Sequence, residues 1–421
     1  MSSVPQSHAD CVVVGAGLVG AAITQQLARA GLHVVLLDAG ETTSAGCSHA
    51  NAGILAPDHV GPLATPALLA EAPVQMLRQP PAVRVQPDPR LVPFLTQLLL
   101  SAWPSRARRG SERLRQLAWS SVHMHLQLAE AGLSPGLRRT GALTVRRRAP
   151  RGGALPLGPA EVRAFEPAVR DVAGGVHEAE EWTLEPRRFA RGLVDDALAH
   201  GAELRLGTEV TGMLTDAGRV RGVRTAAGEV RADHVVLATG LGTPHLVRPL
   251  GVRLPMRGGR GHVVDLAPHD GAPQIPVRIK DHRLVITPFE DRVRIAGSLE
   301  FGRRDRSATR ARTEAMLRTA AEVVPSLNTA RVLERWTGDR PCAADGLPVI
   351  GTPAAWPNLH LATGHGMWGM ILAPLTADLV RDTILLGDGG PTTRWLGPDR
   401  FACRLSRRLA DHDPTREETR T

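Results

Sequence analysis

The chain has no tyrosine, and phenylalanine and tryptophan supply all of its 3% aromatic content. Such a sequence offers no row of aromatic platforms for stacking bases, and no nucleic-acid motif accompanies its charge. Lysine occurs once, at Lys280, so the net charge of +9 comes from arginine spread along the chain. That skew reads as codon bias. The local runs, Arg106 with Arg108 and Arg109, and Arg146 to Arg148, read as solvated faces and loops. No nucleic-acid partner is expected, while peripheral contact with anionic lipid on the inner face of the cell membrane stays open. Cysteine is scarce too: Cys11, Cys47, Cys342 and Cys403 form no C-x-x-C pair, so neither a disulfide framework nor a zinc site is indicated, and no metal is expected. No apolar run is long enough to span a bilayer, and Met1 to Asp10 lacks the basic and apolar regions of a secretory signal, so a cytoplasmic location is expected.

What is present is glycine, proline and apolar residues in alternating blocks. With 421 residues, 43% hydrophobic content, 43 glycines and 33 prolines, the chain suits a turn-rich α/β protein with more than one core. The stretch "CVVVGAGLVGAAITQQLARAGLHVVLLDAG", Cys11 to Gly40, has the order strand, glycine turn, helix, strand, acid. Gly15, Gly17 and Gly20, with Ala16, Leu18 and Val19 between them, follow the apolar run Cys11 to Val14 at G-x-G-x-x-G spacing. Such a turn brings bare backbone against a pyrophosphate, and a helix beginning near Leu18 points its N–H groups at it. Asp38, followed by Ala39, closes the run His33 to Leu37 at roughly the 20-residue distance expected of the acid that accepts a ribose 2′-OH. An adenosine without a 2′-phosphate follows; NAD and FAD both remain open on this stretch alone.

Further along, helical pattern runs from about Leu91 to Ala131 with a break near Pro104, "TGALTVRRR" reads as a strand, and "EPRRFARGLVDDALAHG" reads as a helix capped at Gly201. "RVRGVRT" and "HVVLATG" are strand-like, residues 252–296 are strand-rich, "RSATRARTEAMLRTAAEVVP" is a helix stopped by Pro325, and a last helix runs to about Leu386. Long insertions thus separate one adenosine-binding unit from later strand-to-glycine turns. A contiguous nicotinamide dehydrogenase is disfavoured. A flavin ring needs backbone donors at several edges, and "HANAGIL", "LATG" and "GHGMWGM" are turns suited to supply them.

The ordered set "GAGLVG", "SHANAGILAP", "TPFEDRVRIAGSLEF", "WTGDRPCAADGLPVIG" and "LATGHGMWGMILAP" resembles the D-amino-acid oxidase superfamily of FAD enzymes, most of all its bacterial D-amino-acid dehydrogenases and glycine-oxidase-like members. The resemblance runs from about Asp10 to Phe401. It implies an α/β fold in which a Rossmann-like FAD domain, residues 1–80, 150–250 and 335–395, interleaves with a substrate domain, residues 81–149 and 251–334, built on a mixed, largely antiparallel sheet; residues 396–421 form a C-terminal tail. It implies that Gly46, Cys47, Ser48, Asn51, Ala52, Gly53 and Ile54 line the flavin, Val210 touches the adenine, and Ala238, Thr239 and Gly240 lie near the pyrophosphate. Gly364, His365, Gly366, Met367, Trp368 and Gly369 lead into the last helix, whose N–H groups face the flavin N1–C2=O edge and favour negative charge there.

By the same resemblance, Arg340 in "GDRP" forks onto the substrate carboxylate, and His49, His262, His365 and Trp368 are pocket walls. The implied chemistry is oxidative deamination of a small amino acid, D-configured by preference: hydride passes from Cα to flavin N5, and the imine hydrolyses to a 2-oxo acid and ammonia. Oxidation of glycine or a secondary amino acid such as sarcosine, proline or hydroxyproline, or service as the FAD-bearing subunit of a hetero-oligomeric amine dehydrogenase, are the alternatives. Oxygen or a quinone or other electron carrier takes the electrons, and homo- or hetero-oligomers stay open. FAD is expected to be held non-covalently, because the spacing of Cys342 to Asp345 departs from that of relatives that tether flavin through cysteine. The relatives' substrate-binding tyrosines have no counterpart here, so other groups must close the site.

Overall fold

The structure, a computed structural model, describes residues 8–44, 46–77, 83–150, 153–302 and 309–402. Its first sheet grows around the strand Ala9–Val14, whose run of buried β-branched residues suits a strand covered on both faces. Val34–Leu37 pairs with it in parallel on one side and Gly228–Leu237 on the other, so that Val14 faces both Leu37 and Leu237. Glu203–Arg205 and Leu359–Thr363 extend the parallel set outward, and Val210–Asp216 and Arg219–Thr225 fold back onto Gly228–Leu237 as an antiparallel meander. The helix Leu18–Arg29 is rich in alanine along its buried side, which lets it pack closely against the helices Pro186–Ala199 and Gly369–Leu386. Pro186–Ala199 ends as its sequence indicates, with Gly201 in the left-handed region at φ +89°.

The second sheet has the order Val332–Ala343, Met256–Leu266, Val293–Phe301, Leu284–Pro288, Val277–Ile279, Ala142–Arg146, Gly174–Glu178. Neighbours are antiparallel except Val277–Ile279 with Ala142–Arg146; Val83–Val85 also joins Val293–Phe301 in parallel. The helix Thr309–Ala321 covers one face through Met316 and Ala320 against Val264, Ile286 and Ile295. The other face meets the first sheet's carboxyl ends. The mixed α/β architecture with a largely antiparallel second sheet is the one the sequence leads to. The segments 150–250 and 335–395 each lend a strand to this second sheet, Gly174–Glu178 and most of Val332–Ala343.

The helical region breaks at Trp103, where Val92–Ser101 gives way to Pro104–Glu130 with proline at its first position. Pro104–Glu130 buries the stripe Ala107, Gly110, Leu114, Ala118, Val122 and His125, a 3.6-residue period laid against Gly369–Leu386. Inside that second helix Pro374 interrupts the backbone ladder, and the Leu375 N–H donates instead to Ser121 Oγ at 3.3 Å. Residues 396–402, placed at the start of the tail, are packed: Leu396 is buried, Pro398–Phe401 forms a 3₁₀ turn, and Arg400 binds Asp345 at 2.7 Å. Residues 403–421, with Cys403 and the rest of the tail, lie outside the described residues.

Candidate active site

A cavity of about 1610 Å³ separates the two sheets. It begins where the parallel strands end, at Val14, Asp38, Ala238 and Thr363, and continues across the face of the second sheet from Arg340 to Glu178. The carboxyl ends of parallel strands are where open α/β sheets bind ligands. This volume exceeds the roughly 300–1,000 Å³ of a drug-sized pocket, so it has room for a dinucleotide and a second small molecule.

The glycine turn forms one end. Gly15 has φ +107°, and a Cβ there would lie 2.7 Å from the Ala238 carbonyl oxygen; at Gly20 a Cβ would lie 1.8 Å from the Gly15 carbonyl oxygen. These two glycines are required by packing between turn, helix and strand. A Cβ on Gly17 would meet only Ser48 Oγ, at 3.2 Å, so this glycine leaves open space on the cavity wall. The helix Leu18–Arg29 has no side-chain N-cap; the Leu18 N–H donates to Ser48 Oγ at 3.1 Å, and the first turn borders the cavity through Leu18 and Val19. Asp38 pins the turn by accepting from the Ala16 N–H at 2.6 Å and the Gly40 N–H at 2.7 Å. It also lines the cavity beside Ala39, and its oxygens keep lone pairs for a ligand hydroxyl.

The middle of the cavity is walled by Gly46, Cys47, Ser48, Asn51, Ala52 and Ile54. This loop is held from the second sheet: Arg294 Nη1 donates to the Asn51 carbonyl at 2.7 Å, and Thr287 Oγ1 to the Ala52 carbonyl at 2.8 Å. Arg294 is fully buried and forks onto Asp265 at 2.8 and 2.7 Å. Gly53 must be glycine, since its φ is +76° and a Cβ would strike the Phe289 ring at 2.3 Å. Val210, Ala238, Thr239 and Gly240 line the wall near the turn.

At the far side the helix Gly369–Leu386 starts at Trp368 without a side-chain cap, and Gly369, Met370 and Ile371 line the cavity. Uncapped first-turn N–H groups carry partial positive charge. Trp368 Nε1 donates to the Gly61 carbonyl at 2.7 Å, and the Gly366 N–H to the Pro341 carbonyl at 2.8 Å, which ties this turn to the strand bearing Arg340. His365 and Met367 also line the wall. His365 Nε2 lies 3.0 Å from Thr376 Oγ1, and burial lowers its pKa to about 4, so it is neutral at pH 7.

Arg340 reaches over Gly261 on the neighbouring strand, where a Cβ would lie 2.4 Å from its guanidinium nitrogens. Its Nη1 donates to the Ser298 carbonyl at 3.0 Å, and among the described residues no carboxylate pairs with it. Desolvation lowers its pKa from the ordinary arginine value, yet a guanidinium keeps its charge at pH 7. A half-buried cation facing a cavity, with only a carbonyl for company among the described residues, calls for an anion.

Not every expected wall residue reaches the cavity. His262 sits between Gly261 and Val263, which face it, and strand alternation turns His262 to the other side, 2.9 Å from Thr337 Oγ1. His49 is drawn away by Glu334 at 2.8 Å and Arg187 at 2.8 Å, with its ring against Trp336. Ala16, Gly20, Gly53 and Gly364 lie behind the lining, where they shape turns. Cys47 lines the cavity; Cys342 does not, and burial pushes its thiol up to about 12, with the Cys47 thiol raised for the same reason. Residues missed by sequence reasoning are Gly261, Ser298, Arg294 and Asp265. The signal for the first was available: "GGRG" at Gly258 to Gly261 inside a strand marks close approach of another group to the backbone. Also missed is the outer-wall cluster in which Glu178 binds His59 at 2.8 Å and Arg278 at 2.9 Å.

A sequence model of the family described as FAD dependent oxidoreductase, DAO, matches residues 10–383. A protein named D-amino acid dehydrogenase from Paramagnetospirillum magneticum is 33% identical over 420 residues, covering 94% of this chain and 99% of its own length. One of the same name from Cereibacter sphaeroides is 33% identical over 398 residues, 89% of this chain and 91% of its own. Among solved structures, glycine oxidase from Geobacillus kaustophilus superposes with a TM-score of 0.69 at 25% identity, covering 90% of this chain and 95% of that one. L-proline dehydrogenase from P. horikoshii superposes with a TM-score of 0.70 at 18% identity, covering 94% and 98%, a likeness of fold alone.

Proposed function

From the premise that this chain belongs to the DAO family of FAD-dependent oxidoreductases, we propose that it oxidises the Cα–N bond of a small amino acid, D-configured by preference, whose carboxylate is held by Arg340. The observation that carries the reading is the Arg340 guanidinium, without a carboxylate partner among the described residues, on the wall of the cavity that begins at the glycine turn. The D preference is supported by the names of the relatives at 33% identity.

The residues present fit FAD. Gly17 leaves an open cradle at the start of a helix whose N-cap position carries no side chain and whose Leu18 N–H is met by Ser48, Asp38 retains acceptors for a ribose, and a helix without a side-chain cap begins at Trp368. Gly17 to Val19 would take the pyrophosphate, Val210 the adenine side, and Ser48 to Ala52 with Gly369 to Ile371 the flavin. When bound, FAD supplies the hydride acceptor for the substrate Cα–H. The protein's part is positioning: Arg340 orients the amino acid, the uncapped helix start favours negative charge opposite it, and the walls restrict water. Neutral His365, engaged by Thr376, holds the helix turn and is not assigned a proton-transfer role. The cofactor part takes residues 1–80, 150–250 and 335–395 and the substrate part residues 81–149 and 251–334, with two strands exchanged as described above.

The purified single chain is expected to be yellow and to release FAD on acid or heat treatment, consistent with the buried, high-pKa Cys342. Mixed anaerobically with D- and L-amino acids, glycine, sarcosine and proline, its flavin should bleach fastest with a D-amino acid; parallel assays with oxygen and a quinone identify the acceptor. A colourless folded protein that cannot be reconstituted with FAD, or bleaching by none of these, overturns the reading.

Peripheral membrane contact has a specific support. Val92, Leu99, Leu100 and Trp103 are exposed on and after the helix Val92–Ser101, Val74 and Leu77 on Pro66–Leu77, and the exposed Arg106, Arg108 and Arg109 follow directly. Apolar side chains flanked by tryptophan and arginine suit an anionic lipid surface. The protein should therefore sediment with phosphatidylglycerol vesicles and lose most of that binding on Leu100→Asp with Trp103→Asp; equal sedimentation of both proteins refutes the contact.

A further inference from the structure

Among the described residues five non-glycines adopt positive φ: Ser44, Asp171, Ala217, Arg283 and Ser298. Four lie in turns or bends. Ser298, at φ +63°, lies inside the strand Val293–Phe301. The ladder with Met256–Leu266 shows why: His262 pairs with Gly297 and Arg260 with Glu300, so two steps on one strand face three on the other. Ser298 and Leu299 form a β-bulge opposite Gly261, and bulges re-aim groups beside functional sites. Here the group is a carbonyl. It accepts from Arg340 Nη1 at 3.0 Å, while the buried Ser298 hydroxyl has no hydrogen-bond partner. The part of Ser298 that touches Arg340 is thus its main-chain carbonyl.

We propose that Ser298 is a positioning residue for substrate recognition: its left-handed bulge conformation directs a carbonyl at Arg340 and, with Gly261 as a flat seat under the guanidinium, fixes the direction in which that cation meets the substrate carboxylate. The inference rests on the reading of Arg340 given above. Its chemical logic is that a neutral carbonyl orients the guanidinium without neutralising it. A carboxylate in the same place would compete with the substrate, and a side chain on residue 261 would lift the guanidinium from its seat.

The backbone role and a hydroxyl role predict opposite rank orders. Glycine and alanine tolerate the bulge conformation and lack the hydroxyl, whereas threonine keeps the hydroxyl but is β-branched and resists positive φ. Two quantities are read in the FAD-loaded protein: the rate ratio for flavin reduction by D-alanine over ethylamine, which lacks the carboxylate, and the dissociation constant of acetate from the flavin absorbance change. Ser298→Gly and Ser298→Ala are expected to hold both within about three-fold, while Ser298→Thr, Ser298→Val and Gly261→Ala lower the ratio and weaken acetate by about ten-fold or more, with FAD content retained.

Retention by Ser298→Thr with loss in Ser298→Gly and Ser298→Ala overturns the proposal in favour of the hydroxyl. Equal values in all five variants overturn it outright. If the β-branched variants fail to fold, the glycine, alanine and Gly261→Ala proteins still decide. Arg340→Ala separates the two levels: an unchanged ratio there defeats the carboxylate reading itself, whereas a collapsed ratio there with unaffected Ser298→Val and Gly261→Ala defeats only the seat.

Discussion

Arg340→Ala is expected to slow anaerobic flavin reduction by the best amino acid by about 30-fold to several thousand-fold, the equivalent of the roughly 2–5 kcal/mol that removing one member of a desolvated charge pair costs. Arg340→Lys should fall between it and the native protein, because an ammonium keeps the charge but cannot present two parallel donors to a carboxylate. Two features of the site make the expected effect large. The guanidinium is half-buried on the cavity wall, where desolvation lowers its pKa, and among the described residues its protein acceptor is the uncharged Ser298 carbonyl. The loss should appear in the reduction rate as well as in apparent affinity, since a carboxylate that rotates freely no longer fixes the direction of the Cα–H bond. FAD content should not change, because the glycine turn, Asp38 and the 46–54 loop are held by their own hydrogen bonds, none of which involves Arg340. Stopped-flow reduction of the three proteins with D-alanine and with ethylamine measures the effect. If both substrates lose rate equally, Arg340 is a structural or flavin-contacting residue.

The parts of the site legible in the sequence are those in which a backbone conformation demands a residue type. Gly15 and Gly20 are forced by contacts of 2.7 and 1.8 Å that any Cβ would make, Gly53 by the Phe289 ring, and the break before Pro104 by the missing proline donor. The glycine spacing and the proline are visible in the chain, although the groups that force Gly15 and Gly53, Ala238 and Phe289, are distant in sequence, and Gly53 enters by resemblance. Resemblance added Arg340, which no local pattern distinguishes from the other arginines. What stayed hidden depends on strand register. Whether His262 or Gly261 faces the cavity is decided by a one-residue choice of side, and the bulge at Ser298 shifts the ladder by one further residue. His49 is held by Glu334 and Arg187, partners too distant in sequence for its orientation to be read from the chain. The same holds for Arg294 and Asp265: an arginine and an aspartate on adjacent strands read as surface charges until the pairing Asp265 with Arg294 puts them side by side in the interior.

That buried pair should have the largest effect on stability. Asp265 is 2% exposed and faces Arg294 at 2.7 Å, Arg292 at 3.2 Å and Arg187 at 3.9 Å. Asp265→Ala leaves the fully buried Arg294 without its carboxylate, and breaking a buried pair by removing one partner costs about 3–5 kcal/mol. The urea midpoint should fall accordingly. FAD affinity should fall too, because Arg294 also donates to the Asn51 carbonyl and an arginine seeking water or another anion no longer holds that loop. The two effects come apart in the double variant Asp265→Leu with Arg294→Met. An apolar pair of similar volume removes the uncompensated charge, so most of the lost stability should return. The donor to Asn51 is still missing, so FAD affinity should stay low. A double variant that recovers both stability and FAD affinity would show that the Arg294 contact with Asn51 contributes nothing to cofactor binding, while one that recovers neither would show that the interior of the second sheet depends on this ion pair for its packing as well as its charge balance.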